Sequence, residues 1–194
     1  YEGPIRVDLT SAPKGFTITT PLIIQAGQNR AFGAVYAAAD AAMPAKGAEL
    51  AKVSASATIG GKTVTHPVND LANLKPLAPA KLKVTVLTAD GRAPEPGKPL
   101  ELTIAPGQTI AARVRIERNG IKERVSFGGH ESGRNLPYGA YVDNIGLNGL
   151  LIVEGASERD FYITADAVTA ETTRRFHLKA APEGGILSPP VLLH

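Results

Sequence analysis

The 194-residue chain contains no cysteine and no tryptophan, a single methionine, and only five Phe and five Tyr. Without cysteine there can be no disulfide, no thiolate zinc site and no thiol nucleophile. That absence suits a reducing compartment, and equally an extracytoplasmic domain whose core needs no covalent staple. With few aromatics, Ala, Val, Leu and Ile must fill the interior; apolar residues make up 43% of the chain. No apolar run approaches the roughly 18–20 residues that cross a bilayer. An excess of one charge is also missing. Residues 1–78 hold 7 Lys/Arg against 5 Asp/Glu and the remainder holds 14 against 13, for a net +3. No basic stripe exists to track a phosphate backbone, so nucleic acid is not expected as a partner. No signal-type segment opens the chain, and Tyr1 in place of an initiator Met leads us to expect a piece of a longer polypeptide.

What is present is period-2 alternation. Ile110, Ala112, Val114 and Ile116 alternate with Ala111, Arg113, Arg115 and Glu117, while Leu82, Val84 and Val86 alternate with Lys81, Lys83 and Thr85. Such segments predict strands with one buried and one wet face. Further strands are expected at about 99–104, 150–153, 161–164, 174–179 and 186–193, separated by Gly, Pro, Asn and Asp. Asn119-Gly120 predicts a tight hairpin that returns through Arg124 to Phe127. The Ala-rich run from Ala37 to Ala55, broken by Pro44 and Gly47, reads as a long loop with at most one helical turn. Leu71 to Ala80, stiffened by Pro76 and Pro79, reads as a linker.

The chain also nearly repeats itself. Leu22-Ile23-Ile24-Gln25-Ala26-Gly27 returns as Leu150-Leu151-Ile152-Val153-Glu154-Gly155, Pro13-Lys14-Gly15 as Pro137-Tyr138-Gly139, and Ala39-Asp40-Ala41 as Ala165-Asp166-Ala167. The expected fold is all-β: two tandem antiparallel β-sandwich units, residues 1–78 and 79–194. The copies are unequal. Three strands precede Arg124 to Phe127, whereas almost nothing precedes its counterpart, Ile5 to Leu9. The first unit is therefore expected to lack its N-terminal strands. Either upstream sequence supplies them, the reading we favour, or this unit is a smaller sheet that leans on the second.

One set of features resembles a family. Ala105-Pro106-Gly107-Gln108 is followed by an alternating strand ending in Glu117-Arg118-Asn119-Gly120, and then by Val125. Leu136-Pro137-Tyr138-Gly139 comes next, then Glu154-Gly155 and Thr164-Ala165-Asp166-Ala167. Together these resemble the immunoglobulin-like β-sandwich repeats of large bacterial secreted and cell-surface proteins, often found near pre-peptidase C-terminal domains. The first unit carries only the later parts, such as Ala12-Pro13-Lys14-Gly15 and Ala26-Gly27-Gln28. The resemblance implies an extracytoplasmic, non-catalytic module that spaces or presents other domains of its parent chain. It implies no catalytic residue.

Residues 128–146 form the most functional-looking segment. His130, Glu131 and Arg134 sit among glycines, where varied polar chemistry meets a permissive backbone. A Gly-x-Ser-x-Gly elbow and the helical His pair of a zinc protease are both missing there. Tyr138 and Tyr141 could form a small platform for a sugar, or could pack at an edge. Those five residues are the candidate ligand contacts for a carbohydrate- or ligand-binding alternative; a third possibility is an accessory domain packed on an enzyme. Asp90 and Asp143-Asn144 are sparse calcium candidates that read better as turns. His66, His177 and His194 form no metal cluster, and alternation places His177 on an outward face between Phe176 and Leu178. No cofactor is expected. The anticipated partners are neighbouring domains, a surface protein or a glycan.

Overall fold

A computed structural model describes residues 1–45, 51–71, 74–128, 132–143, 146–147 and 149–194. The chain is all-β, and its one helical element among those residues is a three-residue 3-10 turn at Pro182–Gly184. No helix among them is long and apolar enough to cross a membrane. Two compact units are formed, Tyr1–Pro79 and Ala80–His194.

The second unit contains β7 to β17, and the first β1 to β6. In the first, β1 is Ile5–Thr10, β2 Phe16–Ile18, β3 Leu22–Ile24, β4 Val35–Ala37, β5 Lys52–Ile59 and β6 Lys62–Pro67. An antiparallel sheet runs in the order β3-β1-β5-β6, and β2 pairs with β4. Gly60 and Gly61, at φ 55° and 75°, form the two-residue turn between β5 and β6. Positive φ at both turn positions matches the right-handed twist of the flanking strands and demands glycine or its few substitutes. Lys52 to Ala55 therefore lie in a strand, where the Ala-rich composition suggests a loop. Strand side chains pair across the ladder, and pairing overrides a local helical preference.

In the second unit β7 is Leu82–Thr88, β8 Leu100–Leu102, β9 Thr109–Arg118, β10 Val125–Gly128, β11 Ser132–Arg134 and β12 Ala140–Asp143. There follow β13 at Leu150–Ile152, β14 at Glu158–Ala165, β15 at Arg174–Ala180, β16 at Ile186–Leu187 and β17 at Val191–Leu193. One antiparallel sheet has the order β12-β14-β9-β7. The other has β11-β15-β17-β8, with β17 and β8 parallel and β16 beside β15. Strand β10 pairs with β13, and Ser126 of β10 accepts a hydrogen bond from the Ala181 N–H just beyond β15.

The inward residues of both sheets meet in one core. Phe127, Phe161 and Phe176 are its largest buried side chains, surrounded by Val84, Val114, Ile116, Ile152, Ile163 and Leu178. The aliphatic filling expected from the composition is thus organised around three aromatics. Among the described residues of the first unit, the buried apolar ones are Phe16, Ala34 and Ala51.

The expected Asn119-Gly120 hairpin is not formed. β9 pairs with β14 and β7, whereas β10 pairs with β13, so residues 119–124 connect different sheets. The Asn119 N–H donates to the Lys81 carbonyl at the start of β7. An Asn-Gly pair supplies positive φ, and a crossing between layers uses that as readily as a hairpin does.

Repetition extends to single bonds. Phe16 N–H donates to Pro13 and Ala140 N–H to Pro137, each at 3.0 Å. Gly15 accepts from Ala38 at 2.8 Å, and Gly139 accepts from Asp166 at 2.9 Å. Ala41 N–H bonds Ala38, as Thr169 N–H bonds Asp166. Those bonds fix the alignment of the copies, and they correct it: Asp166 corresponds to Ala38, not Asp40. The repeated Ala-Asp-Ala string draws an alignment by residue identity two positions off.

Candidate functional site

Residues 132–143 of the second unit carry the described part of the candidate segment. Strand β11 pairs with β15 and sets Arg134 opposite His177. The next residue, Asn135, has φ 74° and turns the chain away. Its side chain ties that turn down: Nδ2 donates to the Arg175 carbonyl at 2.7 Å, and Oδ1 accepts from Arg174 Nη2 at 2.6 Å. Arg174 is only 5% exposed, and burial pushes its guanidinium below the usual value. A buried arginine with a planar, rigid fork holds a loop in one geometry.

Tyr138 occupies the corner of the Pro137–Ala140 turn, closed by the Ala140 N–H to Pro137 bond with Gly139 at φ 84°. A corner side chain in such a turn faces solvent, and Tyr138 is 70% exposed. Tyr141 lies on β12 opposite Thr164 and is 44% exposed. The two tyrosines are thus surface residues, whereas Arg134 belongs to the opposite sheet. His130 and Glu131 lie outside the described residues, as does Asn144.

Beside the Tyr138 turn is a cavity of about 200 Å³ lined by Pro137, Ala140, Ala165, Thr169, Leu193 and His194, among others. The Thr169 Oγ1 is buried there without a hydrogen-bond partner. Ligand pockets span roughly 300–1,000 Å³, so this space suits at most a small apolar group. Thr169 carries no signal in the sequence, because its place is set by the distant Gly139.

His177 overturns its expected outward placement: it is fully buried. β15 packs Phe176, Leu178 and Ala180 on the core, and the returning segment at Ser188 covers His177 on the second face. Nδ1 of His177 lies 3.0 Å from the Ser188 carbonyl, while the Ser188 hydroxyl accepts from Leu178 N–H and donates to the Pro189 carbonyl. Burial lowers the imidazole pKa; the Ser188 bond partly opposes this, and the Arg134 charge adds to the lowering.

The outer face of the β12-β14-β9-β7 sheet is charged but internally neutralised. Arg113 pairs with Asp160 at 2.6 Å, Arg115 with Glu158 at 2.5 Å and Lys83 with Glu117 at 2.7 Å. Cross-strand pairs of this kind fix register and leave little net field for an acidic or basic partner. Asp90 is engaged by the Thr88 hydroxyl in the turn after β7, and that bond holds its carboxyl below the usual range. Asp143 Oδ2 accepts from Thr164. Among the described residues, no group of three His, Asp or Glu side chains could hold a metal ion.

No family model matches the chain, and no curated protein matches it.

Proposed function

We propose that this chain is a non-catalytic structural and interaction module, built from immunoglobulin-like units, that spaces or presents other domains of a bacterial secreted or cell-surface protein. The observation that carries this reading is the bond-for-bond repetition of the Gly15 and Gly139 turns, since repeated β units are the building blocks of arrays. Strand order supports it as well. The sheet β7-β9-β14-β12 has the A-B-E-D order of an immunoglobulin-type sandwich, and β17 beside β15 follows G beside F. The self-neutralised outer face fits a spacer better than a surface tuned for one charged ligand.

Replacing residues 1–194 in the parent polypeptide with unrelated sandwich domains of similar length tests the proposal. Activities of the flanking domains should stay within about twofold, because a spacer contributes length and stiffness alone. Loss of ligand binding on replacement would overturn it.

Exposure of Tyr138 and Tyr141 favours a second reading, a carbohydrate- or ligand-binding surface on residues 128–146. A glycan array with the 194-residue chain separates the two. Binding abolished by Tyr138→Ala establishes the second reading and removes the purely structural one.

A further inference from the structure

Among the described residues, strand β4 is bonded along one edge only, the one beside β2. Ala34 accepts from Thr19 N–H, and Ala38 N–H donates to Gly15, both on the β2 side. Backbone polar groups alternate in direction along a strand, so Val35 and Ala37 turn theirs away from β2. By the alignment that the repeated bonds fix, their counterparts are Ile163 and Ala165. Ile163 pairs with Ile110 of β9. Ala165 N–H donates to Gln108 at 3.0 Å, and its carbonyl accepts from Gly107 N–H at 2.9 Å. Among the described residues, no strand lies in that place beside β4.

Side chains show the same lack of cover. Ile163 is 0% exposed and Ala165 is 2% exposed, whereas Val35 is 42% exposed and Ala37 is exposed too. The edge on the other sheet agrees. Strand β6 pairs only with β5 among the described residues, while β17, which leads the second unit's final pairing with β15, has β8 on its far side. An open edge with an aliphatic inward side chain is a template for another strand.

Among the strands of the second unit that have no counterpart in the first, β7, β8 and β9 form one uninterrupted run of sequence before β10. Because β10 is the counterpart of β1, a single segment leading into β1 closes both edges. We propose that polypeptide joined on the N-terminal side of β1 carries a strand of the β9 type, docked antiparallel on the open edge of β4. Its chemistry follows from β9: aliphatic residues at alternate positions, one of them opposite Val35, with polar residues between. Gly33 stands where the second unit has Phe161 against Ala112. The place of a β-carbon on Gly33 is already taken by Leu22, whose Cδ1 and Cδ2 would lie 3.1 and 3.2 Å from it, so the layer there is filled from within the unit.

Amide hydrogen exchange compares the 194-residue chain with the same chain extended by its natural preceding residues. At Val35 and Ala37, exchange should slow at least tenfold on extension. Equal exchange in the two proteins overturns the proposal, as does protection in the shorter chain already matching that at Ile163 and Ala165. A preceding sequence without an alternating apolar strand overturns it as well. The variant Val35→Asp gives an independent readout: the urea midpoint of the first unit should fall in the extended protein and stay unchanged in the shorter one. An equal effect in both counts against a docked strand. Neither measurement involves residues 128–146 or the flanking domains, so the spacer reading can fail while this one stands.

Discussion

Gly139 lies so close to Thr169 that a β-carbon built on it would sit 2.5 Å from the Thr169 hydroxyl oxygen, and Gly15 stands in the same relation to Ala41 at 2.9 Å. Each glycine is at positive φ, 84° and 83°. A β-carbon at these places meets both a backbone penalty and a steric one, and the second is not relieved by a flexible side chain in the Ala41 case.

Gly139→Ala is therefore expected to destabilise the second unit by about 2–4 kcal/mol, combining the left-handed penalty with overpacking. Gly155 is the control, at φ 77° with nothing within 4 Å of the place that a β-carbon would take. Gly155→Ala should cost only about 1–2 kcal/mol. Urea unfolding followed by circular dichroism measures both, and equal losses would show that the Thr169 contact is relieved at no cost.

Phe161 is the pivot of the larger core, 1% exposed on β14 opposite Ala112. Truncation to alanine opens a cavity that rigid strands on both sheets cannot collapse into. The expected loss is about 3–5 kcal/mol. By contrast, Val35→Ala in the 194-residue chain should change the urea midpoint little, since its side chain is already half in water.

His177 makes the second unit acid-sensitive. Its folded pKa lies below the ordinary 6.5, so the unfolded chain binds the proton more readily. Stability then rises with pH wherever the unfolded state holds more protons. The contribution is intact above about pH 6.5 and is lost as pH falls below it, with a slope of at most about 1.4 kcal/mol per pH unit. Arg134 across the strand and the Ser188 carbonyl are the groups that tune it. His177→Gln should flatten the urea midpoint between pH 7 and 5; an unaltered pH profile would remove His177 as its source.

Glu183 sits at φ 56°, in the turn after β15, and its carboxylate accepts from the N–H groups of Lys81 and Leu82 at 3.0–3.1 Å. The start of β7 is thereby tied to a residue a hundred positions away. Glu183→Ala should cost about 1 kcal/mol, at the low end for a charged acceptor because the site is exposed. Amide exchange at Leu82 should speed up while that at Val114 stays unchanged.

Alternation is enough to locate β7, β9 and the inward faces of both, because a half-buried strand writes period 2 into its own residues. The repeat is legible too, from turn strings such as Pro137-Tyr138-Gly139. Gly60-Gly61 carries a hairpin signal, masked by the alanines on its N-terminal side. The candidate segment is legible only as chemistry: the sequence shows Arg134 and Tyr138 near each other, but not that they flank a buried Arg174–Asn135 lock.

Local sequence by itself determined that this protein is all-β, aliphatic in its core and built on a repeated turn. Only the tertiary structure decided which strands are partners. Asn119-Gly120 reads the same whether the chain folds back on β9 or crosses to β13's sheet, and His177 reads the same whether or not Ser188 comes to cover it. Period and turn chemistry are properties of neighbouring residues. Pairing, burial on a strand's second face and the open edge of β4 depend on what arrives from elsewhere in the chain, and a local pattern holds no record of that.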